Sequence, residues 1–467
     1  MTDVAVSIAP VAVLVAMLVL VKASALVSAA TAFASGAALA LAFRGLPLRD
    51  VGICAAKGAA TGLFPIGLVV VAALFTYALT VESGAIDDIK KTLSSLSGDR
   101  RYLALVVVWG FGNFMEGMAG FGTAVAIPCA ILVGLGFDPL RAVLCCLVAN
   151  TTPTAYGSVG VPTMVLAGET ALDVAGLSAD IARLQLAVTA LSPFLLLFIA
   201  DGLRGVREKW ALALVADVAF LVPWFAVAST LGCELPNIAG GLSVMAVLAL
   251  LGDFRKIDAR RTVWAWSPFV CVVAVLAVAA ALPAKWKVSP GLLVLAAGFA
   301  GGLVQRVRPA RQAAILGATL RRYSPAVATI CLVLALAKVM GASGMTSTLA
   351  GALVAASGGC YAAFSPVVGS LGGFVTGSGT SSNVLFGALQ ASVGATAAEK
   401  ALFAAANVMG AGIGKMVCPQ SIVLGCAAAG LAGRESEVLK RAAAFFVGVL
   451  AAACLATVAA AALAAAG

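Results

Sequence analysis

The stretch Glu116–Pro128, EGMAGFGTAVAIP, places one carboxylate among glycines and a threonine, inside an apolar segment, 102–135, too long for one membrane crossing. A crossing helix needs roughly 20 apolar residues. Glycine permits sharp turns and close backbone approach, so the segment reads as two helical arms around a break at Gly120-Phe121-Gly122-Thr123. A second segment, 361–392, repeats the pattern, with GSGT at 377–380 lying 257 residues after GFGT at 120–123. At that same offset of 257, Asn150 meets Asn407, Gly157 meets Gly414, Pro162 meets Pro419 and Gly168 meets Gly425. Alanine and glycine coincidences are cheap in this chain, but Thr, Asn and Pro recurring at one offset are not. Upstream, Ser83-Gly84 and Ser97-Gly98 match Ser343-Gly344 and Ser357-Gly358 at an offset of 260. One domain over 1–467 is expected, with repeat units of about 57–168 and 317–425.

Composition agrees with a membrane setting. The chain is 62% hydrophobic and 11% charged, with mean hydropathy +1.09, whereas soluble domains carry about 25% charged residues. Unbroken apolar runs, rather than alternation, exclude a β-barrel. The expected fold is an all-α polytopic membrane protein of about twelve transmembrane helices plus two re-entrant hairpins. Spans are expected at 5–21, 24–43, 58–80, 139–166, 183–201, 210–231, 237–251, 263–283, 288–305, 323–341, 397–426 and 442–464. The N-terminal run Val4–Val21 has no preceding basic residue and is read as a retained span rather than a signal peptide.

The formal charge of +10 lies in short loops, as the positive-inside bias requires, so it signals topology and not nucleic acid. The loop 306–322 carries five arginines and no acid, which places it in the cytoplasm. The loops 252–261 (Arg255, Lys256, Arg260, Arg261) and 202–209 follow it inside, and the acidic loop 169–182 falls outside. On this scheme the first hairpin opens inward, the second outward, and the two copies are inverted. Arg44, Arg49 and Lys57 then lie outside, against the bias. Eleven cysteines sit mostly in apolar runs with no zinc-ligand spacing, and histidine is absent, so no metal or other cofactor is expected.

Inverted repeats with interrupted helices are a physical signature of secondary transporters. A helix that begins inside the membrane presents unpaired N–H groups that attract anions. The tips Gly120–Thr123 and Ser378, Thr380, Ser381, Ser382 and Asn383 fit this role. So do Asn150-Thr151-Thr152-Pro153-Thr154 and Asn407, each expected to unwind its helix locally. The alternative for these polar residues is ordinary helix glue. Glu116, a costly mid-membrane acid, is the candidate proton carrier, and Lys415 in GAGIGKMVCPQS is the matching cation. That last stretch is no phosphate loop, since Met416 stands where Ser or Thr is required. Lys338 and Asp217 are further intramembrane charges of weaker context. With no histidine and no GxSxG, enzyme chemistry is not expected.

Together EGMAGFGTAVAIP, ANTTPTAYGSVGVP (149–162), SPVVGSLGGFVTGSGTSSNVLFGALQ (365–390) and GKMVCPQS (414–421) resemble the L-lactate permease family. The resemblance implies a carrier of the bacterial inner membrane that takes up L-lactate, and in some members glycolate, with protons. It also implies substrate contacts at the matched motifs, Gln420 included. Gly379 stands where the family motif has aspartate, which leaves Glu116 and Lys415 to carry the coupling. The alternative is a carrier of another small organic anion, a dicarboxylate or sulfonate, with sodium as the coupling ion.

Overall fold

Helices are the only regular elements among the described residues of the computed structural model, which are 2–21, 23–120, 122–252, 258–281, 289–357 and 360–466. Phe121, Arg255, Lys256 and Gly358, all used above, fall outside them. Seven helices are long and apolar enough to cross a membrane, and seven shorter apolar helices accompany them. The chain is thus an all-α polytopic membrane protein. Local chemistry marks the helix ends. Ser24 caps Ala25–Arg44 and Gly45, at φ 64°, ends it; Asp138 caps Pro139–Ala149. Thr396 and Glu399 form a reciprocal capping box on Ala397–Gly414. The helix Val174–Thr230 turns out of helical geometry at Asp201, Gly202 and Lys209, which separates the two spans expected there.

Both long segments double back. In the first, Arg100–Gly112 and Asn113–Met118 run down to a break, and Thr123–Gly134 returns. Thr123 Oγ1 donates to Met115 O at 3.4 Å, Gly112 lies against Pro128, and Gly136 lies against Arg100. In the second, Tyr361–Thr376 ends at Gly377 and the chain returns through Gly379–Ser382, a wide turn Asn383–Gly387, and Ala388–Val393. Ser382 Oγ donates to Gly369 O at 3.1 Å, and Tyr361 Oη to Gln390 Oε1 at 2.9 Å. In both cases partner numbers fall on one arm as they rise on the other, the mark of an antiparallel pair. Gly369 and Gly373 press on Asn407 and Ala411 of the helix Ala397–Gly414, and Gly410 and Gly414 press on Pro366 and Ser370, so a Cβ on any of the four would strike the opposite helix's backbone. Small residues four apart allow this close approach.

Element order recurs along the chain. Leu68–Glu82 ends at Ser83 and restarts after Gly84 at φ 75°; Pro309–Ala342 ends at Ser343 and restarts after Gly344 at φ 74°. A hairpin and then a broken helix follow in each half. The two breaks are not at equivalent positions. In the first half Pro139–Ala149 stops at Asn150-Thr151-Thr152, before a short turn at Pro153–Tyr156. In the second half Asn407 stays inside the unbroken helix Ala397–Gly414, and the interruption comes at Lys415–Cys418, before Pro419. The expected unwinding at Asn407 is therefore corrected. Its side chain is satisfied laterally by Gln390 and Asn383, so it does not compete for backbone groups, whereas Pro419 has no N–H to continue the helix.

Ion pairs gather at two ends. Arg101 binds Asp99, Asp201 and Glu208, Lys209 binds Asp99, Arg261 binds Asp88, and Arg311 binds Glu82. About 40 Å further along the Pro309–Ala342 helix, by its rise per residue, Lys338 binds Glu169 at 2.9 Å. At that second end Arg44 reaches Asp3, Ser7 and Thr348. Arg44 is thus paired by its neighbours, whereas Arg49 and Lys57 lie on the helix Leu48–Thr61, so the expected 44–57 loop is corrected to helix from Leu48 onward. The first hairpin opens at the Arg101 end. The second opens beside Met345–Ser357, the helix that carries Thr348.

Candidate substrate and coupling site

A cavity of about 160 Å³ lies where the two hairpin tips meet. Its polar side chains come from Glu116, Asn150, Thr154, Ser158, Thr329, Thr376, Ser378, Thr380, Ser381, Lys415, Gln420 and Ser421, with Gly122 at the tip. Three helical stretches begin at this wall. Thr123–Gly134 follows Gly122, which has φ 85° and no side-chain cap; the stretch 379–393 starts at Ser378, whose Oγ accepts from Ser381 N; Pro419–Ala429 presents Gln420 and Ser421 in its first turn. Their dipoles make the cavity favourable for an anion.

At its centre Lys415 Nζ donates to Glu116 Oε1 at 2.9 Å. Both residues are buried, Glu116 to 3% and Lys415 to 7% of full exposure. Two acceptors are left over: Glu116 Oε2 and Asn150 Oδ1 are buried without a hydrogen-bond partner among the described residues. A polar atom in that condition implies water or a ligand group.

Close approaches shape the walls. Gly157 lets the backbone pass within contact of the Glu116 carboxylate. Gly379 lies so near Thr154 that an added Cβ would sit 2.5 Å from its Cγ2. Ser158, Val159 and Gly160 all take left-handed backbone, at φ 46°, 56° and 77°. For a β-branched residue this conformation is strained, and surrounding bonds hold it. Ser158 Oγ donates to Ala119 O at 2.9 Å. Asn237 Nδ2 donates to Pro153 O at 2.6 Å while Trp224 Nε1 donates to Asn237 Oδ1 at 3.2 Å.

Of the residues singled out in the sequence, Glu116, Gly122, Asn150, Ser378, Thr380, Ser381, Lys415 and Gln420 converge on the cavity. Gly120 and Thr123 stand at the tip behind its wall, Gly120 against the Ser158 hydroxyl. Thr151 and Thr152 turn away toward Gln185, Thr189 and Ser192. Ser382 is spent on Gly369 O. Asn383 and Asn407 belong to a buried chain in which Tyr361 donates to Gln390, Gln390 to Asn407, Asn407 to Asn383, and Asn383 to Pro162 O. That chain ties the second hairpin to the cavity wall at Pro162. Phe121 lies outside the described residues. Sequence reasoning missed Ser158, Thr329, Thr376 and Ser421 as lining groups. Ser421 had a signal, since it follows Pro419 at a helix start; Ser158 had none, because its contact depends on left-handed backbone.

A polytopic helical protein with a small polar cavity between broken helices is a membrane permease in design. The chain belongs to the L-lactate permease family, whose model matches residues 3–287 and 270–464. It is 39% identical to the L-lactate permease of Streptococcus iniae over 373 residues, 72% of this chain and 78% of that one. The L-lactate permease of Escherichia coli K12 is 32% identical over 496 residues, 91% of this chain and 89% of the relative. Glycolate permease GlcA of Escherichia coli K12 is 34% identical over 472 residues, 85% and 84% of the two chains. The protein is accordingly a multi-pass component of the bacterial plasma membrane that handles a small organic anion.

Proposed function

We propose that the protein imports a small 2-hydroxy monocarboxylate, L-lactate or glycolate, together with a proton, and that the Lys415–Glu116 pair couples the two. Lys415 is committed to Glu116. Protonating Glu116 removes its charge and frees Lys415 for a substrate carboxylate, which the three helix starts also favour. Each ligand thereby raises the affinity for the other, and the coupling is reciprocal by linkage. The cavity matches the substrate class in size: a cavity of about 150 Å³ holds benzene, with on the order of six non-hydrogen atoms, as lactate has. It matches in polarity too, because the unpartnered Glu116 Oε2 and Asn150 Oδ1 would accept from a 2-hydroxyl.

The hairpins are read as re-entrant, entering from opposite membrane faces with the Arg101 end cytoplasmic. The units 57–168 and 317–425 are then inverted copies whose relative motion alternates access. An enzymatic use of Ser381 or Ser382 with Lys415 is not favoured, since Lys415 bonds Glu116 and Ser382 bonds Gly369 O. A dicarboxylate is also disfavoured, because Lys415 is the one cation among the described lining residues.

Labelled uptake into proteoliposomes under an imposed pH gradient, with a panel of acids, tests the reading. Lactate or glycolate should accumulate when the outside is acid. Indifference to every 2-hydroxy acid, with accumulation of some other anion, would overturn it.

A further inference from the structure

Away from the cavity, one carboxylate is buried with nothing to bind it. Asp217, on the Val174–Thr230 helix, is 4% exposed, and it has no hydrogen bond or ion pair among the described residues. A buried acid at this depth is costly and marks function by default. Its surroundings supply no counter-charge. Ala104–Gly112 and Pro236–Leu251, packed against its helix, carry no titratable side chain. Tyr102 donates to Leu248 O, Arg101 is held by Asp99, Asp201 and Glu208, and Arg141 donates to Ala200 O. Arg100 lies beside Gly136, and on Pro139–Ala149 Cys145 lies against Leu196 O.

Three more buried polar atoms lack partners on the arm that leads to Glu116. Trp109 Nε1, Asn113 Oδ1 and Glu116 Oε2 are all buried and unbonded. Asn113 Nδ2 donates to Trp109 O at 2.6 Å, so the two residues stand one turn apart on the arm that carries Glu116. The Trp109 ring packs on Phe220 with centroids 4.6 Å apart, and Phe220 is one turn from Asp217 on its own helix. The Trp109 segment, Ala104–Gly112, is a π-helical stretch, a widened geometry frequent at functional sites. Asp217 in turn lies eight residues past Lys209, about 12 Å along the helix from the charged end. Donors and acceptors left bare in a protein interior are normally met by ordered water.

We infer that a file of internal water joins Glu116 to Asp217, and that Asp217 is a second proton-carrying carboxylate between the cavity and the Arg101 end. The step balances. The Glu116 carboxyl gives its proton to the file and becomes the carboxylate that recaptures Lys415. The Asp217 carboxylate accepts a proton from the file and later releases it to water at the charged end. The inference rests on Glu116 carrying the proton, as proposed above.

Proteoliposomes holding wild type, Asp217→Asn or Asp217→Glu test it, with lactate counterflow and lactate-driven proton entry (an entrapped pH dye) measured in parallel. Counterflow needs only the loaded carrier to exchange, whereas net uptake needs the proton to leave. Asp217→Asn should keep counterflow within about twofold and lose at least tenfold of net proton-coupled uptake, with Asp217→Glu restoring most of it. Lactate-dependent thermal stabilisation shows whether the Asn variant is folded. Wild-type proton entry in Asp217→Asn would overturn the inference alone. Parallel loss of counterflow and uptake in a folded Asn variant would also overturn it, by showing a structural role. Lactate transport without proton movement in wild type would overturn both this inference and the coupling it rests on.

Discussion

Lys415 and Glu116 are far apart in sequence yet meet at 2.9 Å in a buried cavity, and cutting that pair has calculable consequences. At an effective dielectric of about 20, two unit charges at that separation attract by roughly 6 kcal/mol. Removing both charges from water offsets most of this, so the intact pair contributes little net stability. Removing one partner is different, because it strands a buried charge at a cost of about 3–5 kcal/mol. Lys415→Met should therefore destabilise the protein by that amount. Glu116→Gln keeps an acceptor for Lys415 and should cost about 2–3 kcal/mol, near the worth of a hydrogen bond to a charged group. The double variant strands nothing and should lie within about 1 kcal/mol of wild type. Substrate-free unfolding in detergent completes the cycle. Additive single effects, meaning a coupling energy under about 0.5 kcal/mol, would refute the ion-pair reasoning.

Other consequences lie nearby. Gly379→Asp would drive a Cβ to within 2.5 Å of the Thr154 methyl. Lactate uptake should fall at least tenfold and partly return when Thr154→Ser removes that methyl. Asn407→Leu strands Asn383 Oδ1 and leaves Gln390 Nε2 with Ser365 O alone; one buried orphan at about 1–3 kcal/mol predicts a drop in unfolding temperature. At the charged end, burial pushes Asp99 upward, but Arg101 and Lys209 outweigh it and hold the carboxyl down at about 2. Its free value is about 3.9, so this contribution is complete above about pH 4 and lost as pH falls toward 2. Wild type should exceed Asp99→Asn by roughly 1 kcal/mol or less at neutral pH, an amount discounted for solvent screening, and the two unfolding curves should merge in acid.

How much of this was legible beforehand differs by element. Unbroken apolar runs announced a helical membrane protein, and glycine inside two overlong runs announced the hairpins. Those signals are local, so composition and spacing carry them. The meeting of Glu116 with Lys415 is not local, and nothing in either neighbourhood says that one will reach the other. Asn407 shows the opposite failure. Its match with Asn150 suggested a second break, but one amide is left with a bare oxygen at the cavity while the other is bonded by Gln390 and Asn383. Identical residues 257 positions apart thus do different work, decided by partners from other helices. Ser158 could not be read at all, since left-handed backbone at Ser158-Val159 contradicts local preference and survives through tertiary contacts.

The central claim is that one buried acid makes anion entry conditional on a proton. Its most direct test is the ratio of protons to lactate entering proteoliposomes down an imposed pH gradient, for wild type and for Glu116→Gln. The account predicts about one proton per lactate in wild type, as a single shared carboxylate requires, and no uphill lactate movement in the variant. PH-driven lactate accumulation by Glu116→Gln at the wild-type ratio would contradict it.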